Sequence, residues 1–265
     1  MTIADIVNAV ETYAAPSLQE SWDNTGWQVA PISLSDKCTG VMLCLDVTPA
    51  VVDEARDKGC NLIISHHPLI FRGLRSITGA TQGETAVIKA IRSGIAVYSS
   101  HTALDSTPGG VSHCLGTMLG LTGMRPLSPC ASDPQAGLGV IGTTAGGITR
   151  FELIDAVKRT YNNAPAVRVT QGPEGKGEIH TVALCSGSGG EFITRAIALG
   201  ADAYISSDIR YHDFLDHGHE IFIIDTGHFE SEICTKSIFS HIISQKFPNF
   251  AVHMAACEQN PVTYV

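Results

Sequence analysis

The chain has 265 residues, 44% of them apolar and 16% charged, with a formal charge of −9. That length accommodates one large or two small α/β domains with a buried core, and the composition excludes a disordered acidic chain or a collagen-like one. The acidic balance argues against a face built for phosphate backbones, so nucleic acid is not an expected partner.

Residues 3–15 read as a helix with Ile3, Ile6, Val7, Val10 and Tyr13 on one side, stopped by Pro16. The apolar run Val41 to Leu45 reads as a buried strand, and a helix opened by Thr48-Pro49 runs to Gly59. Asn61 to Ser65 is a second strand, which completes a βαβ unit. A helix near 84–93 and a strand at 95–98 extend it, and Gly109-Gly110 leads into a helix closing at Gly120-Leu121. The Pro- and Gly-rich stretch from Pro126 to Gly147 reads as a connection.

The second half repeats the first. Val41, Leu43, Cys44, Ala55, Gly59, Ile64 and Ser65 recur without a gap as Val182, Leu184, Cys185, Ala196, Gly200, Ile205 and Ser206. The expected fold class is therefore α/β, with two internally duplicated, intertwined repeats and mixed sheets. Residues 1–128 with about 222–265 are expected to form one half, carrying the ligand candidates, and 129–221 the other. No apolar run approaches the roughly 18 residues needed to cross a bilayer, and the first residues lack the basic and apolar regions of a signal peptide. A cytoplasmic protein without membrane association is expected. The eight cysteines are scattered without a C-x-x-C pair, as suits reduced core thiols.

Eleven histidines against 17 Lys plus Arg is unusual, and histidine is the commonest metal ligand. In open α/β sheets ligands gather beyond the carboxyl ends of strands, and three such ends carry chemistry. His66-His67-Pro68 follows one strand. His101 and Asp105 follow a second. His228 and Glu232 follow a third, four residues apart, which places them on one helical face roughly 5–6 Å apart. Taken singly, each is more often a surface pair, a cap or a loop histidine. Together they form a mixed nitrogen and oxygen set suited to two divalent ions. Ser186 to Gly190 is a glycine turn after a strand, whose amides could hold an anion. With Asp208 about twenty residues on, it also supports a rival reading as a dinucleotide-binding unit, although Phe192 stands where the third glycine belongs.

The motifs Trp22-Asp23-Asn24-Thr25-Gly26-Trp27-Gln28-Val29, Leu45-Asp46-Val47-Thr48, Ser65-His66-His67-Pro68-Leu69-Ile70-Phe71, His101-Thr102-Ala103-Leu104-Asp105 and Gly227-His228-Phe229-Glu230-Ser231-Glu232, in this order, resemble those of the dinuclear metal centre family. This family is also called YbgI-like or Nif-three-like, and its members carry the name GTP cyclohydrolase 1 type 2 homologue. The resemblance implies metal ligands at His66, His67, Asp105, His228 and Glu232, and two divalent ions per chain (zinc, iron, manganese, cobalt or nickel). It also implies a toroidal homohexamer. Some members carry an extra domain between the halves, for which the 126–147 connection leaves no room.

No catalytic residue is assigned. His101, His212 and Asp208 are candidates to orient the ligands or move protons beside them. The expected activity is metal-dependent hydrolysis of a small molecule such as a nucleotide or phosphoester, through a water shared by the two ions. The alternative is a ring-forming metal-binding or regulatory protein that turns over nothing.

Overall fold

A computed structural model of the protein describes residues 1–175 and 177–265. The chain forms two compact units: Met1–Thr107 with Thr235–Gln259, and Pro108–Cys234 with Asn260–Val265. The expected boundaries lay at 128 and 222. The difference arises because Thr122–Pro129 pairs with strands of the second unit and because the His228–Glu232 helix packs on a strand of that unit. His228 and Glu232 therefore belong to the second unit.

In the first unit, helix α1 (Ile3–Tyr13) opens with a capping box: the Thr2 hydroxyl accepts from Asp5 N at 3.1 Å while Asp5 Oδ2 accepts from Thr2 N at 2.7 Å. Its buried face is Ile3, Ile6, Val7, Ala9 and Val10. Strands β1 (Gly26–Val29), β2 (Val41–Cys44), β3 (Leu62–Ser65) and β4 (Ala96–Ser99) alternate with helices α2 (Pro49–Asp57) and α3 (Gln82–Ser93), and α4 (Thr102–Ser106) follows β4. Later in the chain, α10 (Thr235–Lys246) and β11 (Val252–Met254) complete this unit. The sheet order is β1-β4-β3-β2-β11, parallel except for edge strand β1. Every residue of β2, β3 and β4 is buried, as expected of parallel strands covered on both faces.

The second unit runs α5 (Val111–Met118), β5 (Thr122–Pro129), β6 (Gly137–Ile148), α6 (Arg150–Thr160), β7 (Arg168–Val169), β8 (Ile179–Ser188), α7 (Ile193–Ala198), β9 (Ala203–Ser207), α8 (Tyr211–His217), β10 (Phe222–Asp225) and α9 (His228–Glu232). Its sheet order is β5-β6-β8-β9-β10-β7. Both sheets contain three parallel strands bounded by an antiparallel edge strand, β2-β3-β4 with β1 and β8-β9-β10 with β7. Helix α6, capped by a Thr149 and Glu152 box, stands where α1 stands in the first repeat. The α/β duplication with two mixed sheets is thus present.

The expected connection over 126–147 is corrected: most of it is an antiparallel pair, β5 with β6. Its glycines serve close strand approach rather than loop freedom. A Cβ on Gly139 would lie 2.7 Å from Leu184 O, and one on Gly142 2.8 Å from Met124 Cγ. Among the described residues, no helix is long and apolar enough to cross a membrane.

Candidate metal centre

The parallel register aligns the carboxyl ends of β2, β3 and β4, with Cys44 opposite Ser65 and Ser65 opposite Ser99. Within two residues of those ends stand Asp46, His66 with His67, and His101, so they emerge side by side. Two adjacent histidines on a regular strand would face opposite ways. Here the chain leaves the pleat after Ser65, whose hydroxyl donates to His67 O at 2.8 Å and lies 2.7 Å from Ser99 Oγ. Both rings accordingly join one group, with centroids 5.2 Å apart. His101 joins them, its centroid 5.2 Å from that of His66 and 5.6 Å from that of His67. The three rings each offer a nitrogen within 4.8 Å of the others.

The hydrogen bonds assign the tautomers. His66 Nδ1 lies 3.1 Å from Ser100 O, His67 Nδ1 2.9 Å from Asp46 Oδ1, and His101 Nδ1 2.8 Å from Asp23 Oδ1. A carbonyl or carboxylate oxygen only accepts, so each Nδ1 donates, and in the neutral ring Nε2 carries the lone pair. Nitrogen donors of three imidazoles gathered within 4.8 Å are a set that fits a metal ion. Asp105, on α4, places Oδ1 3.7 Å from His66 Nε2.

Asp23 is the firmest support of the group. Its buried carboxylate also accepts from Thr102 Oγ1 at 2.6 Å, Thr25 Oγ1 at 2.9 Å and Asn24 N at 2.7 Å. Burial works against its charge, but the bonds from His101 and Thr102 outweigh burial and hold the carboxyl well below the ordinary range.

In the second unit, the ends of the adjacent parallel strands β9 and β10 carry the polar groups. Asp208 follows β9 with φ +53°, and His228 opens α9 after Gly227 at φ +83°. His228 Nδ1 is 2.6 Å from Asp208 Oδ2, and its Nε2 is 2.9 Å from Glu232 Oε2. Burial opposes the charged ring, yet the two carboxylates outweigh it and push its pKa up to about 11. Without metal, a proton therefore sits between Nε2 and the buried Glu232, where a cation can replace it. Glu232 needs Gly187 beside it, since a Cβ there would lie 2.1 Å from Oε1.

The candidates fall in both units. His66, His67, His101 and Asp105 lie together in the first unit. His228, Glu232 and Asp208 lie together in the second. His212 is exposed, with its ring 5.4 Å from that of Tyr211. Glu230 turns aside and accepts from Asn260 Nδ2 at 2.7 Å. The anion-holding reading of Ser186–Gly190 is corrected, because Gly187 N–H donates to Ser231 Oγ and Gly189 N–H to Ser206 Oγ, both at 3.0 Å. The same bonds remove the basis for a dinucleotide-binding turn. Sequence reasoning gave no role to Asp23 and Asp46, which hold the rings of His101 and His67. The available signal was their place: Asp46 directly follows the β2 end, and Asp23 lies in a polar motif before β1.

The model of the family Duf34/NIF3 (NGG1p interacting factor 3) matches residues 1–261. A GTP cyclohydrolase 1 type 2 homolog of Clostridium acetobutylicum is 36% identical over 234 residues, covering 88% of this chain and 85% of that protein. One from Lactococcus lactis is 32% identical over 267 residues, covering 99% and 98%. The crystal structure of Staphylococcus aureus hypothetical protein SA1388 is similar with a TM-score of 0.89 at 28% identity, covering 100% of this chain and 99% of that one.

Proposed function

The chain belongs to the Duf34/NIF3 family, and from that premise we propose that it binds two divalent metal ions and hydrolyses a small molecule, a nucleotide or phosphoester being the favoured class. The observation that carries this reading is the group of three imidazoles whose Nδ1 atoms are all held by oxygen acceptors. The proposed ligands are His66, His67 and Asp105 in the first unit and His228 and Glu232 in the second, with His101 a further nitrogen beside the first set. Zinc, iron, manganese, cobalt and nickel all suit such donors. When bound, two such ions acidify water and polarise a substrate oxygen.

The chain's own residues do the positioning. Ser100 O, Asp46 and Asp23 fix the orientation of His66, His67 and His101, while Asp208 fixes His228 and keeps its Nε2 toward Glu232. Relatives named as GTP cyclohydrolase homologs support a guanine nucleotide as the first substrate to try. A ring-shaped homohexamer belongs to the same proposal and rests on the family resemblance. Light scattering tests it, and a monomeric mass refutes it.

Elemental analysis and anomalous scattering at metal edges are the decisive measurements. Two ions per chain are expected, and His66→Ala or Glu232→Ala should lower the content to one or none. A protein that takes up no metal sinks the site. Metal-loaded protein that hydrolyses nothing in a panel of nucleotides and phosphoesters favours the metal-binding or regulatory alternative.

A further inference from the structure

Within the motif Trp22 to Gln28, every polar side chain is engaged. Asp23 holds His101, Thr25 donates to Asp23, and Asn24 Nδ2 donates to Ile70 O at 2.7 Å. Gln28 Oε1 accepts from Ile70 N at 3.0 Å. These last two bonds clamp the Trp22 turn to the segment that carries Phe71. Trp22 itself remains 58% exposed and Phe71 48% exposed. Their rings nevertheless form a near-equilateral triangle with His101, with centroids 6.1 Å apart for Trp22 and Phe71 and 6.0 Å for each with His101. Two large aromatic rings are thus held in water by hydrogen bonds at their bases, beside the histidine group. Leaving them there forgoes the stabilisation of burial, and such an arrangement is pre-organised for a ligand.

The charge nearby narrows the ligand. Arg72 directly follows Phe71 and Arg75 lies four residues beyond it, both exposed, and neither forms a salt bridge among the described residues, although the chain carries a net charge of −9. We propose that Trp22 and Phe71 form an aromatic mouth that stacks a flat heteroaromatic ring at the entrance to the histidine group, with Arg72 and Arg75 drawing an anionic group on the same ligand. That combination is the chemistry of a nucleotide. It deepens the hydrolase reading by assigning its substrate class to named residues, and it rests on that reading for its biological meaning.

The chain has two tryptophans, and Trp27 packs against Tyr98 with centroids 5.2 Å apart, so Trp27→Phe leaves Trp22 as the sole indole reporter. Metal-loaded W27F protein is titrated with GMP, guanosine and ribose 5-phosphate, and calorimetry on the unmodified chain repeats the ranking. Saturable quenching by GMP and guanosine, but not by ribose 5-phosphate, is expected. Phe71→Ala should weaken both ring ligands at least about fivefold, as loss of a stacking ring does. The Arg72→Ala/Arg75→Ala pair should weaken GMP and leave guanosine unchanged. Trp22→Leu, read by calorimetry, should weaken the ring ligands while Trp22→Phe retains them.

Equal binding of ribose 5-phosphate, or unaltered affinity in both F71A and W22L, overturns the proposal. So does a fall in oligomeric mass in F71A with no ligand response in the parent, which would make this face a contact between copies. Metal content is measured on every sample. Ring binding by protein that holds no metal would keep the aromatic mouth and refute the metal reading alone.

Discussion

His228 lies between two carboxylates with different tasks. Glu232 is buried and faces the nitrogen that would ligate an ion, whereas Asp208, half exposed, holds the opposite nitrogen and so sets the tautomer. Asp208→Asn tests that division. Asn tolerates the left-handed backbone at φ +53°, so the turn should survive while the ring loses its anionic partner. Metal affinity is expected to fall about 10- to 100-fold, the usual effect of removing a group that orients a ligand. Competition with a chelator measures it, and unchanged affinity with unchanged fold would remove Asp208 from the site. His66 and Glu232 were legible in the sequence because each follows a strand within a dense polar motif. The partners that orient the rings were not, since Asp23 lies 78 positions from His101 and Asp46 lies 21 from His67.

At the scale of elements, the end of β8 meets the α9 turn through one glycine. Gly187 takes φ +63°, and a Cβ there would overlap Glu232 Oε1. Gly187→Ala should therefore cost about 1–3 kcal/mol of stability, through strain and overpacking together. It should also displace Glu232. A lowered Tm with lost metal is the expected pair of readings, and a variant that keeps both would show that the turn can relax. The β5–β6 pair teaches the complementary lesson. Its glycines resemble turn punctuation in a linear reading, and only the approach of Leu184 O and Met124 shows that they sit where strands leave no room for a side chain.

At the scale of the whole molecule, the chain passes from the first unit to the second at Thr107/Pro108, returns at Cys234/Thr235 and sends its last six residues to the second again. Glu54 on α2 ties the returning segment within the first unit. Its carboxylate accepts from Ala256 N at 3.0 Å and Cys257 N at 3.0 Å and pairs with Lys58 at 2.8 Å. Burial opposes its charge, but the Lys58 and Cys257 bonds outweigh burial and lower its pKa from 4.5 to about 2. A depressed carboxylate stabilises the fold fully above its unfolded pKa and loses that contribution as pH falls toward the folded value. Glu54→Gln should therefore lower stability by about 1–3 kcal/mol at neutral pH. The gap from the parent should close between pH 4.5 and about 2. Urea unfolding across that range measures it, and a gap independent of pH would mean that packing, not charge, is what the substitution removed.

By itself the sequence determined the main strands and helices of the two α/β repeats outside 126–147 and the duplication, and it singled out the residues proposed to ligate metal. Each of these follows from short-range pattern: apolar runs of strand length, caps, and polar groups just after a strand. The parallel register alone decided that the ends of β2, β3 and β4 stand side by side, so that histidines 34 and 35 positions apart share one group. It also decided that the amides of Gly187 and Gly189 are spent on serines, and that Trp22 meets Phe71 across 49 residues of chain. Hydrogen bonding between distant segments has no linear period, and for that reason only the tertiary structure could reveal it.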